Sequence, residues 1–224
     1  MTDQIFDISA DPGRPASVVD GAPGALLIII SGPSGVGKDT IIDALRRREA
    51  DTGRDGDRYY VVTCTTRAPR NGEVDGVDYH FMTRDEFLAK RADRGFLEAN
   101  EVHGNWYGSP RDQVRRALAD GKDAILKIDV QGAQIVKEQV SEALLIFVIP
   151  PSLETLFSRL RTRATETADE LELRQRNAAI ELARQDDYDY VVVNETGQVS
   201  RTAERIESII ADERRQHAGR RVRV

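Results

Sequence analysis

The sequence is poor in the residues that form covalent or metal cross-links. Its 224 residues include one cysteine, Cys64, so no disulfide can form within the chain. A single cysteine suits a reducing compartment, and without a redox partner or metal-ligand spacing we interpret Cys64 as a chemically inert small residue. The three histidines, His80, His103 and His217, are scattered along the chain and predict no metal cluster.

Long apolar runs and an excess of basic residues are also missing. No apolar stretch reaches the roughly 18 residues that a membrane helix needs, and residues 1–10 show no signal-peptide pattern, so we expect a cytoplasmic protein. The formal net charge of −6 argues against general nucleic-acid binding, which needs a basic face. A composition of 40% hydrophobic and 31% charged residues is ordinary for a soluble globular protein, and 224 residues are enough for one α/β domain with insertions.

Residues 26–40 predict a strand, a phosphate-binding loop and the start of a helix. An aliphatic run matches a strand that is buried on both faces. Gly32, Gly37 and Lys38 follow with the G-x-x-x-x-G-K spacing of the Walker A pattern, in which backbone N–H groups and the lysine hold nucleotide phosphates. The next position departs from the pattern, because Asp39 stands where a serine or threonine would offer its hydroxyl to Mg²⁺, and Thr40 comes one residue late.

The rest of the chain alternates strands with helices, which predicts a parallel sheet with right-handed crossovers. Strands are expected at 59–63, 124–130, 144–149 and 190–193, and helices at 133–139, 153–160, 171–185 and from Ser200. Ser109 followed by Pro110 predicts the N-cap and the first residue of a further helix. We expect a mobile leader at 1–24 and a solvated, frayed basic tail at 213–224.

A change in composition marks residues 63–109 as a small inserted module. This segment is rich in arginine, glycine, tyrosine and acidic residues, and it is too polar for a central sheet. Thr83 and Glu86 predict a capping box for one helix, between short strands near 79–82 and 97–102. Further along the chain, residues 161–169 are dense in arginine, threonine and acidic residues, which predicts a lid.

Phosphoryl transfer needs a second anion site, because its catalysis is mostly positioning and charge neutralisation of the transferred group. Arg67 and Arg70, together with Tyr79 and Tyr107, offer two guanidiniums and two phenols that suit a phosphate dianion. Taken alone, such a set is more often a surface patch than a site. Glu98 taken alone is likewise more often an exposed carboxylate than a ligand.

Several blocks of the chain together resemble the guanylate kinase family. They follow one another in the family's order over about residues 25–212, and the block at 65–81 is far more specific than the phosphate loop. The blocks are SGPSGVGK (31–38), TTRAPRNGEVDGVDYHF (65–81), GNWYGS (104–109), IDVQGA (128–133), RLRTRATE (159–166) and VVN (192–194).

The resemblance implies a P-loop NTPase-type α/β fold. Its parallel sheet flanked by helices (25–62, 110–152 and 176–212) would carry an inserted α+β GMP-binding module (63–109) and a helical lid (153–175). GMP would be bound by Thr63, Arg67, Arg70, Tyr79, Glu98, Tyr107, Ser109 and Asp129. ATP would be bound by Gly32, Pro33, Ser34, Gly35, Val36, Gly37, Lys38, Asp39, Thr40 and Asn194. The catalytic residues would be Lys38, Arg159, Arg163 and Arg174.

The same resemblance implies individual roles. Arg67, Arg70, Tyr79 and Tyr107 would hold the GMP phosphate, while Glu98, Thr63 and Ser109 would read the guanine. A carboxylate suits that base because it accepts from N1–H and N2–H₂, which adenine lacks on that edge. The three arginines would close on the phosphates as part of the lid, and Asn194 would lie by the adenine. Mg²⁺ would be bound by Asp129 and by Asp39, directly or through water.

The implied function is ATP-dependent phosphorylation of GMP, and of dGMP, to GDP in purine nucleotide metabolism. The implied partners are the two nucleotides, without nucleic acid or membrane, and the protein would be a monomer or small homo-oligomer. One rival is a non-catalytic guanylate-kinase-like binding module, which the retained Lys38, Arg67 and Arg70 disfavour. A second rival, a kinase for another small phosphate or nucleotide, is disfavoured by Glu98.

Two positions depart from what the resemblance implies. The family usually carries serine or threonine at position 39 and aspartate at position 127, whereas this chain has Asp39 and Lys127. The two changes alter charge in opposite directions, and both positions are expected near the phosphate loop. We hypothesise that Asp39 and Lys127 compensate each other; the alternative is two independent, tolerated changes with Lys127 solvated.

Overall fold

A computed structural model describes residues 19–54, 56–102, 104–162 and 168–224 of the chain. The strands in these ranges are β1 (Leu27–Ser31), β2 (Arg58–Tyr60), β3 (Cys64–Thr65), β4 (His80–Phe81), β5 (Phe96–Val102), β6 (Asn105–Pro110), β7 (Asp123–Lys127), β8 (Leu144–Ile149) and β9 (Tyr190–Val193). The α-helices are α1 (Lys38–Asp51), α2 (Arg84–Ala92), α3 (Arg111–Ala119), α4 (Val130–Gln139), α5 (Leu153–Thr162), α6 (Ala168–Leu182) and α7 (Val199–Gln216).

The central sheet has five parallel strands in the order β2-β7-β1-β8-β9. Its middle strand, β1, is fully buried, as its aliphatic sequence predicts. Side chains alternate between its two faces. Ile28 and Ile30 join one apolar cluster with residues of α1, α5 and α7, whereas Leu27 and Ile29 join another with residues of α3 and α4. The predicted parallel sheet flanked by helices is confirmed.

Residues 64–110 contribute a second, four-stranded sheet in the order β4-β3-β6-β5. The pairs β3–β6 and β5–β6 are antiparallel, and β3–β4 is parallel. A small cluster of Cys64, Phe87 and Phe96 forms its core, with Phe87 on α2. The predicted capping box at the start of α2 is confirmed, because the Thr83 and Glu86 side chains each accept from the other residue's backbone N–H.

The prediction that Ser109 is a helix N-cap is wrong. Ser109 lies in β6 opposite Glu98, α3 begins at Arg111, and Pro110 occupies the N-cap position. The second strand is also shorter than predicted, with β2 ending at Tyr60. The chain leaves the central sheet there and pairs with the other sheet, since the backbone of Thr63 accepts from His80 N–H at 2.9 Å. In both cases long-range strand pairing overrides the local sequence signal.

The predicted frayed C-terminal tail is also wrong. Val222 and Val224 are buried, and residues 19–24 pair with the last residues of the chain. Val19 N–H donates to Val224 O at 3.0 Å, and Gly21 N–H donates to Val222 O at 2.8 Å. The expected mobile leader at 1–24 is wrong for residues 19–24, and residues 1–18 lie outside the described residues. Pairing of the two segments explains both corrections, because each supplies backbone partners that the other lacks.

None of the helices that the structure describes is both long and apolar enough to cross a bilayer.

Candidate active site

The phosphate loop begins where β1 ends, and two of its glycines are required by geometry. Gly32 has a φ of 141°, and a Cβ there would lie 2.3 Å from the backbone oxygen of Val148. Gly37 is the left-handed N-cap of α1, with a φ of 92°, and a Cβ there would lie 2.7 Å from Asn194 Nδ2. The loop packs so closely against Val148 and Asn194 that only glycine fits at both positions.

The Lys38 side chain folds back over the loop. Its Nζ donates to Gly32 O at 2.5 Å and to Pro33 O at 3.1 Å. Burial lowers the pKa of Lys38, and the nearby carboxylates of Glu181, Asp39 and Asp129 oppose that effect. The ammonium is thus held at the mouth of the loop, where the Walker A pattern predicts that it meets nucleotide phosphates.

Three predicted ATP-side residues support the loop from outside. Asn194 is buried; its amide donates to Val36 O at 2.7 Å and accepts from the Thr202 hydroxyl at 3.0 Å. Arg159 donates to Val36 O at 3.4 Å and to Asn194 O at 3.2 Å. Arg174 donates to the Ser34 hydroxyl at 3.0 Å. The Asn194 amide therefore binds the loop itself, and its position beside the adenine stays a prediction.

The two residues after Lys38 use their side chains differently. The Thr40 hydroxyl donates back to Gly37 O at 2.7 Å and so closes the first turn of α1. The Asp39 carboxylate forms an ion pair with Lys127 Nζ, at the end of β7. The hypothesis that positions 39 and 127 are neighbours is confirmed, whereas their coupling in function stays a prediction.

The second anion-binding cluster lies on the smaller sheet and the loop beside it, and consists of Arg67, Arg70, Tyr79 and Tyr107. Arg67 holds Glu73 with its terminal guanidinium nitrogen, at 2.8 and 3.0 Å from the two carboxylate oxygens, and Glu73 also accepts from Arg70 N–H at 2.7 Å. The Arg67 guanidinium lies 5.3 Å from the Tyr79 ring centroid, and the Tyr79 and Tyr107 rings contact edge to face at 6.1 Å. These contacts place the Arg67 guanidinium and the two phenols around one region and fix the Arg70 backbone beside them.

Glu98 is a buried carboxylate on β5, with 3% of its surface exposed. The Ser109 hydroxyl donates to it at 2.7 Å from the neighbouring strand. Burial raises its pKa to about 7, against the lowering effect of the Ser109 hydrogen bond. Gly132, on α4, leaves the space that the carboxylate occupies, because a Cβ there would lie 2.9 Å from Glu98 Oε2.

Asp129 follows β7 and caps the N-terminus of α4. Its carboxylate accepts from Gly132 N–H at 2.8 Å, which starts the helix three residues earlier than the sequence predicts. The Asn100 amide also donates to it, at 3.0 and 3.3 Å from the two oxygens. Asp129 therefore ties β5 to α4 as well as facing the cleft.

A cavity of about 270 Å³ brings both predicted sets together. Its walls include Gly32, Ser34, Gly35, Gly37, Lys38 and Asp39 from the loop side, and Thr63, Arg70, Tyr79, Glu98, Tyr107 and Asp129 from the opposite side. Ser109 touches this set through Glu98, and Arg67 through Tyr79. Arg159 and Asn194 lie behind the loop. Arg163 lies outside the described residues.

Sequence reasoning missed several residues of this site. Glu73 orders Arg67 and Arg70, Asn100 orders Asp129, and Glu181 lines the cavity beside Lys38. Glu73 lies within the 65–81 block, which gave a signal for it. Asn100 and Glu181 reach the site only through strand pairing and helix packing, so nothing local marks them.

The chain is similar to guanylate kinases both in sequence and in structure. The family model described as guanylate kinase matches residues 25–213. A guanylate kinase from Bacillus subtilis (strain 168) is 47% identical over 188 residues, covering 84% of this chain and 89% of the relative. One from Clostridium perfringens (strain SM101 / Type A) is 44% identical over 189 residues, covering 84% of each chain. The crystal structure of guanylate kinase from Anaplasma phagocytophilum, at 32% identity, superimposes with a TM-score of 0.67 over 87% of this chain and 88% of that one.

Proposed function

The chain belongs to the guanylate kinase family of nucleoside monophosphate kinases, and we propose that it transfers the γ-phosphoryl group of ATP to GMP. An oxygen of the GMP phosphate forms the new bond to the γ-phosphorus, and the bond to the β-γ bridging oxygen breaks. ADP and GDP leave. Family membership supports this reaction, which is a step of purine nucleotide metabolism. The two facing anion-binding clusters, the phosphate loop and the set on the smaller sheet, support it as well. The single cysteine suits a cytoplasmic setting.

The observation that carries the choice of substrate is the buried Glu98 carboxylate. Guanine presents N1–H and N2–H₂ donors to such a group, whereas adenine presents neither on that edge. A base without those donors would leave the carboxylate buried with the Ser109 hydrogen bond but no donor from the base, which disfavours AMP strongly. Ser109 holds Glu98 from β6 at 2.7 Å, so the acceptor is fixed before the base arrives. Thr63, also buried, lines the same cavity.

The phosphates are handled by charge. Arg67, Arg70, Tyr79 and Tyr107 would bind the GMP phosphate, and the loop N–H groups with Lys38 would bind those of ATP. The dissociative transition state spreads charge over the oxygens of the transferred group, so cations fixed before the reaction lower the barrier. Arg159, Arg163 and Arg174 are proposed to close on the same group.

Magnesium is proposed to arrive with the ATP phosphates. Mg²⁺ typically takes one or two protein carboxylates together with phosphates and water. Asp39 and Asp129 line the cavity that holds Lys38, so the donors present fit such an ion. Among the described residues, no group of three or more metal-binding side chains is close enough to hold an ion alone. When bound, Mg²⁺ would neutralise phosphate charge and would be oriented mainly by Asp129, because the Asp39 carboxylate is paired with Lys127.

The parts around the cavity are proposed to move. Residues 63–109 and the lid at 153–175 would close over the parallel sheet, because the two phosphates can meet only when water is excluded. The Arg174 bond to Ser34 supports this, since it already joins α6 to the phosphate loop at 3.0 Å.

An ADP-release assay with GMP, dGMP, AMP, UMP and CMP as acceptors tests the proposal. GMP is expected to give the highest kcat/KM, and AMP a value lower by about 10⁴, as for sites built around a specific hydrogen-bonding edge. Lys38→Met is the matched inactive control. Comparable rates with AMP and GMP would contradict the role of Glu98. Tight GMP binding without turnover would instead favour the non-catalytic binding module.

A further inference from the structure

Lys127 lies where the two phosphate-binding regions adjoin. It is the last residue of β7, opposite Ile30 of β1 in the sheet register, one residue before β1 ends and the phosphate loop begins. The carboxyl ends of neighbouring parallel strands form the binding edge of such sheets. Lys127 therefore stands beside the loop on the edge where ligands bind.

The Lys127 side chain touches both regions. Its Nζ is paired with Asp39, next to Lys38 on α1, and lies 5.5 Å from the ring centroid of Tyr79. Tyr79 in turn contacts Arg67 and Tyr107 of the second anion-binding cluster. Lys127 also lines both the 270 Å³ cavity and an adjoining cavity of about 680 Å³. The ammonium is thus the side-chain link between the two clusters.

The ion pair keeps Lys127 charged in a partly enclosed position. Only 26% of its side chain is exposed, and burial acts to lower its pKa, but Asp39 and Tyr79 together outweigh that effect and raise it. An ammonium carries three donors, so a bond to Asp39 leaves capacity for phosphate oxygens. A carboxylate at position 39 without this partner would repel the nucleotide phosphates beside it.

We propose that Lys127 is a further catalytic residue, whose ammonium contacts the phosphoryl oxygens where donor and acceptor meet, and that Asp39 is the positioning residue that holds it there. The inference rests on the proposed phosphoryl transfer. It assigns Asp39 a role different from that of the Walker A hydroxyl: the carboxylate acts through a lysine.

Four variants test the proposal: Lys127→Met, Lys127→Arg, Asp39→Asn and the double variant Asp39→Asn/Lys127→Met. Lys127→Met keeps the length of the side chain and removes its charge, and we expect kcat to fall about 100-fold, as when one preorganised charge-stabilising donor is removed. Lys127→Arg should recover part of that loss. Asp39→Asn should lower kcat about tenfold alone and add nothing in the Lys127→Met background, because Asp39 acts through Lys127.

Binding provides a readout that does not depend on turnover. Calorimetry with a bisubstrate analogue, adenosine and guanosine joined through five phosphates, should show a larger loss of affinity in Lys127→Met than calorimetry with GMP or ADP alone. Lys137→Met is the matched control, because Lys137 also pairs with an aspartate, Asp189 at 3.4 Å, but lies outside both cavities that Lys127 lines. Its kcat should equal that of the unaltered protein.

Two outcomes would overturn the proposal. Unchanged kcat and analogue affinity in Lys127→Met would make the lysine a solvated surface group. Losses from Asp39→Asn and Lys127→Met that multiply in the double variant would show that Asp39 acts independently, for example toward magnesium. If Lys127→Met does not fold, as judged by its thermal midpoint, Lys127→Gln takes its place. Absence of GMP phosphorylation by the unaltered protein would instead refute the proposed function, before any variant is compared.

Discussion

Gly132 of α4 faces Glu98 of β5, with no room for a Cβ between them. A Cβ on Gly132 would lie 2.9 Å from Glu98 Oε2 and 3.2 Å from its carboxyl carbon. The backbone of Gly132 is helical, so alanine would be conformationally acceptable there. The buried carboxylate is therefore what excludes a side chain at this position. Adding one methyl group there should disturb substrate binding without disturbing the helix, so the two effects can be measured separately.

Gly132→Ala is expected to raise the KM for GMP about tenfold or more while leaving the KM for ATP unchanged. The methyl group should displace the Glu98 carboxylate from its hydrogen bond to Ser109. The carboxylate would then no longer be held in the position that binds guanine. Helix propensity alone would stabilise the variant by about 0.5–1 kcal/mol. Steady-state kinetics with each nucleotide varied in turn checks the prediction. Gly219→Ala is the control, because no atom lies within 4 Å of a Cβ there; equal effects on both substrates would contradict the proposed contact.

The sequence predicts the central part of the fold well because its signals there are local. An aliphatic run followed by Gly32, Gly37 and Lys38 specifies a buried strand, a turn and a helix start without help from elsewhere, and the confirmed capping box at Thr83 is equally local. The resemblance to guanylate kinases supplied the candidate site, and the cavity brings together residues from both of its sides. Ser109 and Arg67 reach the cavity through Glu98 and Tyr79.

What the sequence could not predict depends on distant partners. Ser109 carries the local signature of a helix cap, but the pairing of β5 with β6 turns its hydroxyl to Glu98. Asn194 follows a strand end, and only packing shows that its amide closes on Val36. The C-terminal segment looks frayed until residues 19–24 are placed beside it. In each case one hydrogen-bond partner lies many residues away in sequence.

Asn194→Ala is expected to weaken the use of any nucleoside triphosphate, because its amide supports the loop that binds phosphates. Two buried hydrogen bonds, at 2.7 and 3.0 Å, would be lost. We expect the free energy of unfolding to fall by about 1–3 kcal/mol and the KM for ATP to rise. Rates with ATP and GTP as donors check the role. An equal loss with both donors would support loop positioning, whereas a loss confined to ATP would support the predicted adenine contact. Gln198→Ala, which removes a surface amide paired with Arg201, is the control.

Deleting residues 218–224 should destabilise the protein without changing its kinetic constants. Val222 and Val224 are buried against the cluster that contains Leu27, and their loss costs about 3 kcal/mol or more of unfolding free energy. The terminal pairing lies before β1, whereas the phosphate loop follows it, so the site keeps its contacts. Urea unfolding measures the loss of stability, which should appear as a lower midpoint with an unchanged m-value. Arg223→Ala is the control, since its surface pair with Asp20 contributes little; an equally stable deletion would show that the tail is dispensable.

The raised pKa of Glu98 makes GMP binding depend on pH in a specific direction. Guanine donates to the ionised carboxylate, so binding favours deprotonation and must release a proton wherever the free protein holds one. With the pKa of Glu98 at about 7, affinity should fall about tenfold for each pH unit below that value and level off above it. The contribution of Glu98 to folding stability has the opposite pH dependence: burial favours the neutral acid, so this contribution is fully present below the ordinary carboxyl pKa and is lost as pH rises through 7.

Calorimetry of GMP binding between pH 5.5 and 8, in buffers of different ionisation enthalpy, measures both the affinity and the proton released. The GMP phosphate also titrates, with a second pKa of about 6, so the unaltered protein alone does not isolate the carboxyl group. Glu98→Gln is the matched variant, because it keeps the phosphate titration and removes that of residue 98. Its affinity should be lower by one to three orders of magnitude at pH 8. The difference between the two pH profiles should rise up to pH 7 and then level. A difference that does not vary with pH would mean that Glu98 is already ionised in the free protein, and that the Ser109 hydrogen bond outweighs the cost of burying the charge.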